Sequence, residues 1–267
     1  MQESPQVKNE RIFKVDKMWY NLTKVFGGIH MQEIWNGITN LLIYFVVCAS
    51  TALITRVRIT IDDELFRKIL HGILLGSLYV WVISFETWWI VALTAIGFAV
   101  IVYPCLMLAE HIKGYSKVVT ERKSGELKQS LLIVFFMFAA VVTVCWGWLD
   151  DKMLALASIY AWGFGDAVAA LVGKRFGKHK IGGKIEHIRK KSVEGTAAMC
   201  AVSFVSVFVI LVLRGGISYP SLIVTAAAVA VVSASTELVT PNGLDTITCP
   251  LAAMAVLLPL VHLFGGI

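Results

Sequence analysis

Charge is scarce in this sequence: Asp, Glu, Lys and Arg make up only 16% of its 267 residues, against about 25% in an average soluble domain. Hydrophobic side chains make up 57% and the mean hydropathy is +0.75. That excess of apolar surface excludes a soluble enzyme or a soluble DNA-binding module, because no single core could hide it. The 5 cysteines show no C-x-x-C spacing, which argues against a disulfide-stapled miniprotein and against a structural zinc site. Cys48, Cys105, Cys145, Cys200 and Cys249 fall one per apolar block and read as buried thiols. No internal repeat is visible, so the inverted-repeat signature of many transporters is missing. The first 33 residues lack the charged start, apolar core and cleavage site of a signal peptide.

In place of these features the chain has apolar blocks of about twenty residues, the length a helix needs to cross a bilayer. They cover residues 34–54, 69–85, 88–109, 131–149, 153–172, 193–213, 220–238 and 247–264. The expected fold is an all-α, polytopic transmembrane bundle of eight spans, or seven if the second and third form a re-entrant pair. Two regions are expected: an N-terminal tail over residues 1–33, and a transmembrane catalytic domain over residues 34–267 that carries a basic loop at residues 173–193. In the tail, Ile12, Val15, Trp19, Leu22, Val25 and Phe26 recur at helical spacing with lysines between them. That is the pattern of a helix lying in the membrane interface, with a frayed tail as the alternative.

The net charge of +6 is unevenly spread, since the loop after the fifth span holds eight of the 24 Lys and Arg residues. By the positive-inside rule the loops after the odd-numbered spans face the cytoplasm. This assignment puts the basic tail on the outer side, in conflict with its charge. Anionic lipid headgroups are the expected partners of such loops, and nucleic acid is not.

The densest chemistry lies over residues 163–195. Asp166 sits inside an apolar span, where a carboxylate is kept by a cation; a metal ion and a Lys from a nearby helix are both open. Gly165, Ala169 and Gly173 form a stripe along which another backbone can approach closely. The loop that follows carries Lys174, Arg175, Lys178, Lys180, Lys184, Arg189, Lys190 and Lys191 with a single acid, Glu186, and the glycines Gly177, Gly182 and Gly183. Basic side chains with turning backbone suit a polyphosphate, although a lipid-contacting, orienting loop has the same composition. Lys190, Lys191 and Ser192 then precede Glu194 and Gly195 at a helix start, and helix N-termini bind phosphate. Glu194 beside them suits Mg²⁺, which takes one or two carboxylates together with phosphate oxygens. Neither a Walker A loop nor a G-x-G-x-x-G turn is present; Val168 stands where the latter needs its last glycine.

On the same face Glu237 and Asp245 flank Pro241-Asn242-Gly243. They suit a metal or a general base, or a solvated turn. Arg67, Lys68 and His71 stand at a span entrance, with Lys68 and His71 sharing a helix face. Interface snorkelling explains the first two equally well. A further polar group, Glu110 and His111 with residues 121–126, reads as a solvated loop.

With these residues in view the chain resembles the CTP-dependent lipid-alcohol kinases, whose members act on dolichol, phytol, farnesol or diacylglycerol. The resemblance rests on Gly165-Asp166 with Ala169 and Gly173, on Gly177-Lys178, on Lys191-Ser192-Val193-Glu194-Gly195, on Glu237 with Asp245 and Pro250, and on Arg67-Lys68-Ile69-Leu70-His71. It spans residues 67–250. Thr246 departs from the pattern, since the family often has Asn there. Phosphatidate cytidylyltransferases share a similar Gly-rich, Lys-Ser/Thr-x-Glu-Gly stretch, but their C-terminal His-Gly-Gly and Asp-Arg signature is absent from residues 196–267.

The resemblance implies transfer of the γ-phosphate of CTP to the hydroxyl of a lipid alcohol. In that reading Asp166 and Glu194 hold Mg²⁺, and Gly165, Gly173, Gly177, Lys178, Lys190, Lys191, Ser192 and Gly195 bind the nucleotide phosphates. Glu237 or Asp245 takes the hydroxyl proton or a second metal, and Arg67, Lys68 and His71 approach the substrate or its phosphate. The rival expectations are a cytidylyltransferase acting on a lipid phosphate and a transporter or flippase that uses Asp166 for an ion.

Overall fold

The computed structural model describes residues 5–111, 125–182, 188, 191–241 and 243–266, with the side chains of 5–26, 29 and 126 outside the description. The helices in order are α1 (Pro5–Arg58), α2 (Asp63–Ser84), α3 (Trp88–Ala109), α4 (Glu126–Val142), α5 (Lys152–Phe176), α6 (Val193–Arg214), α7 (Tyr219–Val239) and α8 (Asp245–Leu263); α4 runs on into a π-helical turn, Thr143–Trp148. Among the described residues no strand forms, and the one β-bridge pairs Lys180 with Ser192 in antiparallel sense. The fold is all-α, as expected. Among the described residues, eight segments are long and apolar enough to cross a membrane. Asp63–Ser84 and Trp88–Ala109 are each a full span, so the re-entrant alternative does not form.

α5 lies at the centre. It is buried without a break from Leu154 through Gly163, and it packs against α2, α4, α6, α7 and α8. A helix apolar on every side has to be surrounded. α1 lies outside α2, and α3 outside α4. Trp81 of α2 fills the space among α2, α3 and α4, with its ring centroid 5.5, 4.8 and 5.9 Å from those of Phe98, Phe135 and Phe138.

The tightest seam is between α5 and α6. A Cβ built on Gly195 of α6 would stand 3.0 Å from the Ala169 carbonyl oxygen and 3.4 Å from the Gly173 Cα, and one on Gly165 would stand 2.6 Å from the Ser203 hydroxyl. The small-residue stripe expected on α5 is therefore the surface on which α6 rides, and the absent side chains at Gly165, Gly173 and Gly195 set how closely the two backbones meet. Buried Ser203 ties the seam by donating to the Ala161 carbonyl.

The face of the bundle opposite the basic loop is closed by side chains that cap neighbouring helices. Glu33 accepts from the backbone N–H groups of Glu86 and Thr87 at 2.8 Å each. Arg214 joins Asp151 at 2.5 Å to the Gly266 carbonyl at 2.6 Å.

Three details differ from the sequence reading. α1 runs unbroken across the boundary expected at residue 34, while the amphipathic pattern of the tail lies outside the described side chains. α5 continues to Phe176, so Gly173, Lys174 and Arg175 are helical rather than part of the basic loop. Of the five thiols, Cys145 and Cys249 are buried, Cys48 and Cys200 are half-buried, and Cys105 is exposed on α3. Lipid covers an apolar thiol as well as protein does, so a membrane helix can leave Cys105 on its outer side.

The seam makes a direct prediction. Gly195→Val should destabilise the protein by about 1–3 kcal/mol through overpacking, read as a lower melting temperature in detergent. Gly97→Ala, where an added Cβ meets nothing within 4 Å, should leave it nearly unchanged. Equal melting temperatures for the two variants would contradict the close-packed seam.

Candidate active site

The charged residues that enter the bundle collect at the face bearing the basic loop. Asp62 caps α2 by accepting from the N–H groups of Glu64 and Leu65, at 3.0 and 3.4 Å. Lys174, in the last turn of α5, also reaches Asp62, at 2.9 and 3.0 Å. The Lys174 ammonium holds the Asp62 carboxyl below the usual carboxylate range. One turn into α2, Arg67 pairs with Glu64 at 2.5 Å, and Lys68 turns inward.

Lys68 meets Asp166 at 2.6 Å, with side-chain exposures of 8% and 19%. A lysine from a neighbouring helix is thus one cation that Asp166 meets. His71 stands on the same face of α2, its ring edge-on to Trp162 with centroids 5.3 Å apart. Asp166, Lys68 and Asp245 all lie within its electrostatic range. Among the described residues its buried Nε2 has no hydrogen-bond partner.

A second ion pair closes the other side of the site. Lys191 donates to Glu237 Oε1 at 2.6 Å and to the Glu237 carbonyl, which ties the start of α6 to the end of α7. The two side chains are 16% and 12% exposed. Asp245, the first residue of α8, accepts from the Gly243 N–H at 2.9 Å and from the Trp162 indole at 3.4 Å. Glu237 feels the charges of both Asp166 and Asp245. Lys68, His71, Asp166, Lys191, Glu237 and Asp245 thus form one cluster drawn from α2, α5, α7, α8 and the start of α6.

The N-terminus of α6 is built differently from the expectation. Ser192 is its cap, buried, and accepts from the Gly195 N–H at 3.2 Å. The Val193 N–H donates to the His179 carbonyl at 2.9 Å. Glu194 turns toward the loop, accepting from the N–H groups of Lys178 and His179 at 3.2 and 3.1 Å and from His179 Nδ1 at 2.7 Å. The carboxylate expected beside Asp166 as a metal ligand is thus engaged by the loop. The helix-end N–H groups expected to face a phosphate are partly taken up by the chain itself. Gly177 ends α5 against Gly173 and Ser192, so it packs rather than opens. Gly183, Lys184, Glu186, Arg189, Lys190, Asn242 and residues 121–124 lie outside the described residues. Glu110 pairs with Lys128 at 2.7 Å.

Three contributors escaped the sequence reading. Trp162 lies four residues before Asp166, on the same face of α5, and that spacing was the available signal. Asp62 and His179 left none, because their partners are distant in sequence.

Among the described residues no group of three or more His, Cys, Asp or Glu side chains converges closely enough to hold a metal unaided. Asp166, Glu237 and Asp245 nonetheless share one electrostatic field. One or two carboxylates completed by phosphate oxygens and water are the usual setting for Mg²⁺, which fits this oxygen-rich donor set.

The Lys68–Asp166 pair can be tested by stability alone. Lys68→Met should cost about 3–5 kcal/mol by leaving a buried carboxylate unpaired. Adding Asp166→Asn to Lys68→Met should recover part of that loss, read by thermal unfolding in detergent. Strictly additive losses would show that the two groups do not interact.

No family model matches the sequence, and no solved structure matches it. Among curated proteins, the chain is 32% identical over 198 residues to the phytol kinase of Synechocystis sp., a match that covers 71% of this chain and 76% of that protein. The aligned length requires most of the bundle to correspond, and the eight spans make the chain an integral membrane protein. The chain belongs to the lipid-alcohol kinase family.

Proposed function

We propose that this protein transfers the γ-phosphate of CTP to the hydroxyl of a membrane-embedded isoprenoid alcohol such as phytol, giving a lipid monophosphate and CDP. The observation that carries the reading is the gathering of two lysines and three carboxylates at one end of an otherwise apolar bundle, together with the likeness to a phytol kinase. Phosphoryl transfer needs positioning and charge stabilisation more than covalent chemistry from the protein, and such a cluster supplies both.

The nucleotide approaches from the side of the basic loop, and the alcohol approaches through the membrane. Lys68 and Lys191 exchange their carboxylate partners for phosphate oxygens, assisted by Lys178, Lys190 and Ser192. Asp166 and Asp245 would hold Mg²⁺, whose charge offsets that of the phosphates. Glu194 acts as a positioning residue, holding Lys178 and His179 against α6. The alcohol oxygen bonds to the γ-phosphorus, and the bond from that phosphorus to the β–γ bridging oxygen breaks. CDP leaves with the electron pair, and the hydroxyl proton passes to the Glu237 carboxylate.

The deciding assay uses purified protein, Mg²⁺ and γ-labelled CTP or ATP against phytol, farnesol, a polyprenol and diacylglycerol. Label should enter a lipid phosphate from CTP, and Asp166→Asn or Lys191→Ala should each lower the rate by about 10²-fold or more. Pyrophosphate release from CTP with phosphatidate, and no labelled alcohol, would make the protein a cytidylyltransferase instead. Inactivity with every nucleotide would favour a carrier.

Orientation is a separate prediction. With the native cysteines replaced and the basic face in the cytoplasm, an impermeant thiol reagent should modify Ser218→Cys in intact cells. It should modify Lys180→Cys only after permeabilisation. The reverse pattern would invert the topology.

A further inference from the structure

A groove of about 570 Å³ runs between α6 and α7. Ala197, Ala201 and Phe204 line it from α6, and Ala227, Ala230 and Val231 from α7. It is shallow and open along its length to the outside of the bundle, where lipid tails lie. No side chain along it carries a charge, so it offers nothing to a polar ligand. Ala197, Ala201 and Ala227 are exposed along it, and alanines in place of longer apolar side chains are what leave the trough open.

The groove is connected to the cluster by the helices that wall it. Lys191 stands two residues before α6 begins, and Glu237 two residues before α7 ends. Their ion pair joins the ends of the same two helices. Glu237 also lies seven residues beyond Ala230, which is two helical turns, or about 10 Å, along one face. An apolar chain lying in the groove with its polar end toward the basic loop therefore brings a terminal hydroxyl to Glu237 and Lys191.

We propose that the α6–α7 groove seats the tail of a single-chain isoprenoid alcohol and is the substrate-tail subsite of this enzyme. The inference rests on the kinase reading above. A trough walled by two neighbouring helices, whose axes pack about 8–10 Å apart, takes one chain and leaves the second acyl chain of a diacylglycerol outside. From Ala197 to Phe204 the lining extends about 10 Å at 1.5 Å per residue. It grips the tail from about 10 Å beyond the hydroxyl, past the reach of a five-carbon alcohol, and the remainder stays in the bilayer.

The test uses full-length protein in nanodiscs, with Ala201→Phe and Ala227→Phe filling the trough from exposed positions that carry no core packing. For phytol, each variant should raise KM about tenfold, the loss of burial of roughly two methylenes. Turnover of a short, soluble isoprenoid alcohol should be unchanged. A photoreactive phytol carrying a diazirine in its tail should label residues 197–205 and 227–231, and unlabelled phytol should compete. An unchanged KM for phytol in both variants would overturn the proposal, as would an equal loss on short and long alcohols or label displaced by phospholipid but not by phytol. Failure of the wild type to phosphorylate any alcohol would instead overturn the kinase reading, and the photolabelling, which needs no turnover, would still decide the groove.

Discussion

Asp166 lies ten residues inside the end of α5, the most deeply enclosed helix of the bundle, and it remains there as a carboxylate because Lys68 reaches it from α2. An unpaired charge at that depth would cost several kcal/mol. The pair therefore dictates where α2 must stand against α5, and with α2 come the other residues of its inward face. His71, one turn further on, is pressed against Trp162, and Trp162 in turn donates to Asp245 at the start of α8. A single electrostatic requirement thereby draws α2, α5 and α8 to one point.

The close approach of α6 to α5 complements that pairing. Because Gly165, Gly173 and Gly195 present no side chains to the seam, the two helices meet almost backbone to backbone, and the N-terminus of α6 is brought alongside the last turns of the helix that carries Asp166. Lys191, just ahead of the Ser192 cap, is then near enough to α7 to join Glu237. The glycines that resemble a phosphate cradle in sequence thus act one step earlier, by fixing the distance at which the lysines can work. A motif that reads as binding chemistry is here also packing geometry, and under the proposed function the charged side chains that this packing aligns would meet the phosphates.

The architecture was legible in the sequence because a bilayer imposes a strong and local rule. Twenty apolar residues bounded by charges announce a span wherever they occur, and all eight are found. The small-residue stripe was legible for the same reason, since i, i+4 spacing is a property of one helix. The pairings were not. Lys68 and Asp166 stand 98 residues apart, and nothing in either local stretch says that they meet. The contacts of Glu194 were hidden in the same way: its position at a helix start suits an ion, and nothing local shows that the N–H groups of Lys178 and His179 reach its carboxylate from the loop. Cys105 was assigned to the interior on a rule for water-soluble cores, where an exposed thiol is uncommon, and lipid relaxes that rule.

Charge balance gives the cluster its chemical logic. Two lysines face three carboxylates, Asp166, Glu237 and Asp245. Before a substrate arrives, each of these two lysines is paired with a carboxylate, and the third acid, Asp245, is held by N–H donors from Gly243 and Trp162. A polyphosphate with a divalent cation brings both signs at once, and it can satisfy lysines and carboxylates together without leaving either exposed to low dielectric. A phosphate without the cation would attract the lysines but strand the acids. The cation alone would do the reverse. Their combination offers partners to both signs, so under the proposed function a nucleotide–metal complex suits this end of the bundle better than either component by itself.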